Sequence, residues 1–170
     1  MKVSKNGIHL IKHFEGVKNK PYKCQAGLWT VGVGHLIGDG KQLPQSWNRV
    51  FSVLEIDTLL AKDLERFERG VSKLISIPLK QHEFDALVSF AFNLGLGCLQ
   101  RSTLRQKLNR GDKLGAIQSL LKYTKVNGKT SNGLVRRRNA EATLFLTSKN
   151  AVQRIIFYFI SNGHVSSKNR

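Results

Sequence analysis

Three observations predict an α+β fold with a small sheet near the N-terminus and a larger helical lobe. Between Pro21 and Gly40, Trp29, Val31 and Val33 alternate with Thr30, Gly32 and Gly34, and Asp39-Gly40 supplies a turn. After Pro44 the apolar residues recur at helical spacing instead. One stripe, Leu59, Leu60, Leu64, Phe67, Val71 and Leu74, is long enough to act as a strut between the two parts.

The elements follow in order. Ile8, Ile11 and Phe14 place a short helix over residues 5–14, capped by Ser4 or Asn6. Pro21 is expected to stop helix, and short antiparallel strands follow to Gly40. The strut helix runs over residues 57–75, with Asp63, Glu65 and Glu68 at polar positions. Pro78 opens the next helix, lined on one side by Phe84, Leu87, Val88 and Ala91 and broken by Gly95 and Gly97. Ser102 caps a helix through Leu104 and Leu108 to a stop at Gly111. Two more helices span residues 114–121 and 134–146. No internal repeat or low-complexity segment interrupts the pattern.

Composition bounds what such a fold can do. The chain has 170 residues, 28 Lys+Arg against 11 Asp+Glu, and a formal net charge of +17. Residues 1–85 hold 13 basic and 9 acidic side chains, whereas residues 86–170 hold 15 basic ones and only Asp112 and Glu141 as acids. Such a field attracts polyanions, whether nucleic acid, anionic wall polymer or membrane surface. No helix-turn-helix, zinc or RNA-binding pattern accompanies the charge, which argues against a specific nucleic-acid partner. Neither the two cysteines nor the five histidines fall in metal-ligand spacing, so no metal and no cofactor is expected. No apolar run reaches the ~18 residues that span a bilayer. MKVSKNGIHLIKHFEG lacks the apolar region of a signal peptide, so synthesis in the cytoplasm is expected. A disulfide between Cys24 and Cys98 is correspondingly disfavoured.

The stretch HFEGVKNKPYKCQAGLWTVGVGHL, residues 13–36, concentrates the chemistry. Glu15 closes the first helix beside Phe14, an apolar setting of the kind that raises a carboxyl pKa and suits a general acid. Cys24 and Thr30 lie on the sheet that follows. Read without context, Glu15 is first a surface carboxylate and Cys24 a small buried hydrophobe, ahead of any catalytic role.

The spacing of these three residues, Glu15, eight residues, Cys24, five residues, Thr30, then VGVGHL, resembles the catalytic signature of phage lysozymes of glycoside hydrolase family 24. In that family the middle position is Asp or Cys. FDALVSFAFNLGLG at 84–97, STLRQKLNRGD at 102–112 and NGLVRRRNAE at 132–141 resemble the family's later landmarks, in the same order. The resemblance covers residues 5–147, and departs near Tyr123 and Phe145, where the family often carries Trp.

It implies a lysozyme-like fold over residues 1–148, with the β-lobe at about 16–56. It also implies hydrolysis of the β-1,4 bond between N-acetylmuramic acid and N-acetylglucosamine in peptidoglycan. Glu15 would be the general acid, Cys24 would stand where the second carboxylate does, and Thr30 would orient the attacking water. A thiol at that place acts as an anion only if its surroundings lower a pKa of ~8.5; Lys23 favours this and an ionised Glu15 opposes it. The same resemblance suggests Leu36, Phe92, Asn93 and Thr103 as substrate-binding positions. It suggests His35 paired with Asp63 as a structural tie, and Arg137, or Arg138 one register on, holding Glu15.

The expected whole is therefore an endolysin, monomeric, that acts on the wall after a holin opens the membrane. A lytic transglycosylase acting on the same glycan, needing only the acid, is the rival reaction. Residues 149–170, rich in Arg, Lys and apolar side chains, read as a basic amphipathic extension that could engage an outer membrane or lipopolysaccharide.

Overall fold

The computed structural model describes residues 1–24 and 26–146. The first helix, α1, spans Lys5–Glu15 and buries Gly7 and Ile11. Ser4 stands at its N-cap, but the side chain makes no capping bond; its hydroxyl donates to Asp85 instead, as does its backbone N–H at 2.9 Å. Gly7 is required where α1 crosses the helix that bears Asp85, because a Cβ there would lie 2.9 Å from the Asp85 side chain.

The sheet has the order β1-β2-β3, with β1 at Lys18–Lys23, β2 at Trp29–Gly32 and β3 at His35–Leu36, all antiparallel. Pro21, from which strand is expected, lies inside β1, which begins three residues before it. It is tolerated because β1 is an edge strand, where a missing N–H leaves no ladder bond unmade. The register of β1 on β2 is irregular between Lys18 and Tyr22, beside that proline. Val33-Gly34 turns β2 back into β3, with positive φ at Gly32 (66°) and Gly34 (79°), a conformation open to glycine without strain.

The strut is α2, Val53–Leu74. Its start lies four residues before the expected one, because Ser52 and Glu55 form a reciprocal capping box. Its 22 residues extend about 33 Å at 1.5 Å each. Ile56, Leu60, Leu64, Phe67 and Val71 face inward. Glu68, expected on the polar face, is also buried, where it accepts from the Val3 backbone at 2.8 Å and pairs with Lys2 at 2.9 Å.

The third helix, α3, spans Gln81–Leu94, beginning three residues after Pro78. It is buried on every side from Glu83 to Ala91, so its inward face is not the single stripe the sequence suggests. It packs against α1, α2 and the helix at Asn132–Leu146, which explains the absence of a solvent face. Gly95, at φ 86°, ends α3. Gly97, expected as a second breaker, lies within a short helix, α4, Leu96–Arg101. Ser102 then caps α5, Thr103–Asn109, by accepting from the Arg105 N–H. The Asp112 side chain caps α6, Lys113–Leu120. A hairpin of β4, Lys125–Val126, and β5, Lys129–Thr130, precedes α7, Asn132–Leu146. Nothing in the apolar periodicity marks that hairpin, because all four of its strand residues are exposed.

One apolar cluster runs through both lobes, from Val31, Val33 and Ile37 of the sheet region to Leu104, Ile117 and Phe145 of the helices. The extension expected at 149–170 lies outside the described residues.

Candidate active site

A cleft of about 580 Å³ opens between the sheet, α2 and α3. Its lining comprises Glu15, Val33, Gly34, Leu36, Lys62, Asp63, Arg66, Phe67, Phe92 and Asn93. Glu15 reaches it because α1 ends there: Gly16, at φ 75°, turns the chain out of the helix and into β1. Leu36 stands 42% exposed at the cleft, an apolar side chain held open to solvent. Phe92 and Phe67, 5.2 Å apart between ring centroids, join α3 to α2 along the floor.

Glu15 shares the cleft with the apolar Val33, Leu36, Phe67 and Phe92, and it also has a charged partner. Its side chain is 29% exposed, and Arg137 Nη1 donates to its Oε1 at 2.6 Å. Arg137 is the partner of the two candidates, and it is itself fixed from behind. Its Nε donates to Glu141 Oε1 at 3.1 Å and its Nη2 to the Ser89 carbonyl at 3.3 Å. Arg138, fully buried, also meets Glu141, with Nε 3.0 Å from Oε2, and donates from Nη2 to Asn93 Oδ1 at 2.8 Å. The Ser89 hydroxyl donates to Glu141 Oε1 at 2.8 Å. A single buried carboxylate therefore braces two arginines, each of which orients a different cleft residue. Burial pushes Arg138 down and Glu141 up, and the attraction between them opposes both shifts.

Across the cleft, His35 Nδ1 lies 2.8 Å from Asp63 Oδ2, joining β3 to α2. The imidazole stacks on Trp47 at 5.7 Å and 17°, and Trp47 in turn meets Phe51. His35 thus sits behind Asp63 and does not line the cleft.

The structure gathers Glu15, Leu36, Phe92, Asn93 and Asp63 in one place. Cys24, Thr30 and Thr103 lie outside the lining. Thr30 is 5% exposed on β2, and its hydroxyl donates to the Tyr22 carbonyl at 3.3 Å. Cys24 is half-buried just past β1, in a turn closed by Gly27 N–H to Cys24 C=O at 2.8 Å and Cys24 N–H to Leu28 C=O at 2.9 Å. It carries a free thiol, as does Cys98. Thr103 is exposed at the first position of α5. Among the described residues no group of three or more His, Cys, Asp or Glu side chains is arranged to hold a metal ion.

Sequence reasoning passed over Glu141, Ser89, Arg138's hold on Asn93, Trp47, and the pair Lys62 and Arg66. Only Glu141 left a signal: it follows Arg138 by three residues and Arg137 by four, the spacings that share a helix face.

The phage lysozyme family model matches residues 12–141, which include every cleft residue described above. The chain belongs to the phage lysozyme family. The fold and family expected from the sequence are thereby borne out. An endolysin of Bacillus phage B103 is 44% identical over 151 residues, 88% of this chain and 56% of that protein. The chain thus spans little more than half the length of that relative. An endolysin of Acyrthosiphon pisum secondary endosymbiont phage 1 is 38% identical over 85% of this chain and 98% of its own. Among solved structures, the muramidase domain of SpmX from Asticaccaulis excentricus superposes with a TM-score of 0.75 at 34% identity, covering 86% of this chain and 99% of that one.

Proposed function

We propose that this chain is an endolysin whose cleft hydrolyses the β-1,4 bond between N-acetylmuramic acid and N-acetylglucosamine in peptidoglycan, leading to lysis of the host cell. The observation that carries the reading is Glu15 itself. Its Oε1 is occupied by Arg137, while Oε2 has no hydrogen bond among the described residues and is left to face a sugar in the cleft. Glu15 then passes a proton to the glycosidic oxygen as the bond to the anomeric carbon breaks.

Water completes the reaction by adding its oxygen to the anomeric carbon and losing a proton to solvent, from which Glu15 is reprotonated. Cys24, in place of a second carboxylate, stabilises the positive charge at that carbon or helps place the water, and Thr30 orients it. Cys24 follows β1 and Thr30 lies on β2, both in the sheet region whose Val33, Gly34 and Leu36 line the cleft, and the glycan strand extends along that region toward them. Asn93, held by Arg138, presents an amide to the N-acetyl or hydroxyl groups, while Leu36 and Phe92 contact the sugar faces. Thr103 contributes from the edge of the helical lobe.

Turbidity clearing of purified peptidoglycan, followed by mass spectrometry of the released muropeptides, tests the proposal. Reducing N-acetylmuramic acid ends are expected. Anhydro-muramyl ends would assign the chain to the lytic transglycosylase reaction, which Glu15 alone could support. Failure to clear peptidoglycan would sink both.

The same reading has the protein held in the host cytoplasm as a monomer until a holin opens the membrane. No described helix is long and apolar enough to cross a membrane. Fractionation of holin-deficient cells tests this, since periplasmic enzyme there would contradict it. Attraction to lipopolysaccharide through residues 149–170 concerns a segment outside the described residues; deleting it should reduce killing of intact Gram-negative cells but leave cleavage of purified glycan.

A further inference from the structure

The acids of α2 are all partnered: Glu55 with Arg49, Asp57 with Lys12, Asp63 with His35, Glu65 with Arg69, and Glu68 with Lys2. Three of its four cations, Lys62, Arg66 and Lys73, are in no ion pair among the described residues, and two of these line the cleft. Lys62 and Arg66 stand one turn apart, exposed, lining the cleft, with no ion pair among the described residues. Arg66 lies with its guanidinium 4.7 Å from the Phe67 ring centroid, a stacking that leaves its N–H edges unoccupied. The two acids in the same lining, Glu15 and Asp63, are each engaged by a partner, Arg137 and the His35 ring. What the α2 wall of the cleft offers an incoming ligand is therefore two exposed cations outside any ion pair among the described residues, about 6 Å from one to the next along the helix axis.

A glycan backbone of N-acetylated sugars is neutral and has no need of such a wall. The peptides attached to its muramic acid residues are not neutral, since they carry the free carboxylate of a γ-linked glutamyl residue and commonly that of a diamino acid. We infer that Lys62 and Arg66 are specificity-determining residues that recognise these stem-peptide carboxylates, so that the enzyme prefers peptidoglycan with free carboxylates over the same polymer with amidated stems. The inference rests on the muramidase reading above. It assigns binding of the peptide, not of the sugar, to the α2 wall.

Phosphate of wall-linked polymers would satisfy the same cations, so the test uses soluble peptidoglycan strands stripped of phosphodiester-linked polymers. One batch is left with free stem carboxylates and the other is amidated. The wild type is expected to favour the free-carboxylate strands by about three- to tenfold in kcat/KM, expressed mainly in KM, the range that two exposed ion pairs supply. The double variant Lys62→Gln, Arg66→Gln should bring that ratio close to one. A charge-matched variant away from the cleft, Lys73→Gln with Arg110→Gln, should keep the wild-type ratio, because both residues are exposed and neither lines the cleft. Equal rates of wild type on the two strands would overturn the inference and leave the muramidase reading standing. An unchanged ratio in Lys62→Gln, Arg66→Gln, or loss of the ratio in the off-cleft variant, would overturn it too. Wild type that cuts neither strand would sink the muramidase reading and this inference together.

Discussion

Arg137 donates to Glu15 over 2.6 Å, so the last described helix holds the carboxyl group at the end of the first, 122 residues away in sequence. The contact is asymmetric. Arg137 is almost fully buried while Glu15 keeps access to solvent and to the cleft. That division suits an arginine that positions and a carboxyl group that reacts.

Glu15→Gln preserves the shape of the side chain and removes the transferable proton. Peptidoglycan clearing should fall by about 10²–10⁴-fold, the contribution of a positioned general acid. Circular dichroism should show the fold intact. Full activity in this variant would exclude the acid role.

Glu141→Gln leaves Arg137 and Arg138 buried without their shared carboxylate. Breaking a buried ion pair from one side costs about 3–5 kcal/mol, because the remaining charge stays uncompensated. Denaturant unfolding should show a loss of that size. Activity in the folded fraction should also fall, since both Glu15 and Asn93 are oriented through this carboxylate. A loss below about 1 kcal/mol, the range of exposed pairs, would mean that water reaches the triad.

Cys24→Asp should retain substantial activity and Cys24→Ser should lose most of it, if an anion is needed at that place. A small thiol-specific reagent should inactivate wild type and leave Cys24→Asp untouched. The half-buried Cys98 is the control: its thiol is pushed up by burial, and its modification should be slower.

Glu55 governs an acid-dependent feature of the strut. Hydrogen bonds from Arg49, with those from the Ser52 backbone and hydroxyl, hold its carboxyl down to about 2, against an ordinary 4.5. The folded value lies below the unfolded one, so the stabilisation is complete above about 4.5 and is lost as pH falls from there toward about 2. Carboxyl chemical shifts read by nuclear magnetic resonance should place the Glu55 titration near 2. Arg49→Ala should move it upward, with fraying of the first turn of α2 at a higher pH than in wild type.

Several features were legible in the sequence because their causes are local. Alternation over Trp29 to Val33, the apolar stripe of α2, and Ser102 as a cap each depend on residues within a few positions of one another. The same locality explains the misreadings. Gly97 is a breaker by intrinsic propensity, yet packing of α4 on its neighbours overrules it. The burial of α3 on every side could not be read either, because periodicity reports the preferred face of a helix and not how many neighbours surround it.

By itself the sequence determined the two-lobed α+β plan, the lysozyme family, and the short span that carries Glu15, Cys24 and Thr30. Spacing along the chain is enough for these. Only the tertiary structure decided that Arg137 and not Arg138 meets Glu15, that Glu141 braces both, and that Lys62 and Arg66 remain the unpaired charges of the cleft. Neighbouring arginines on one helix differ by about 100° in direction. Which of them reaches a carboxylate 122 residues away depends on how α7 is rotated against α3 and α1, and that rotation is set by the packed core as a whole.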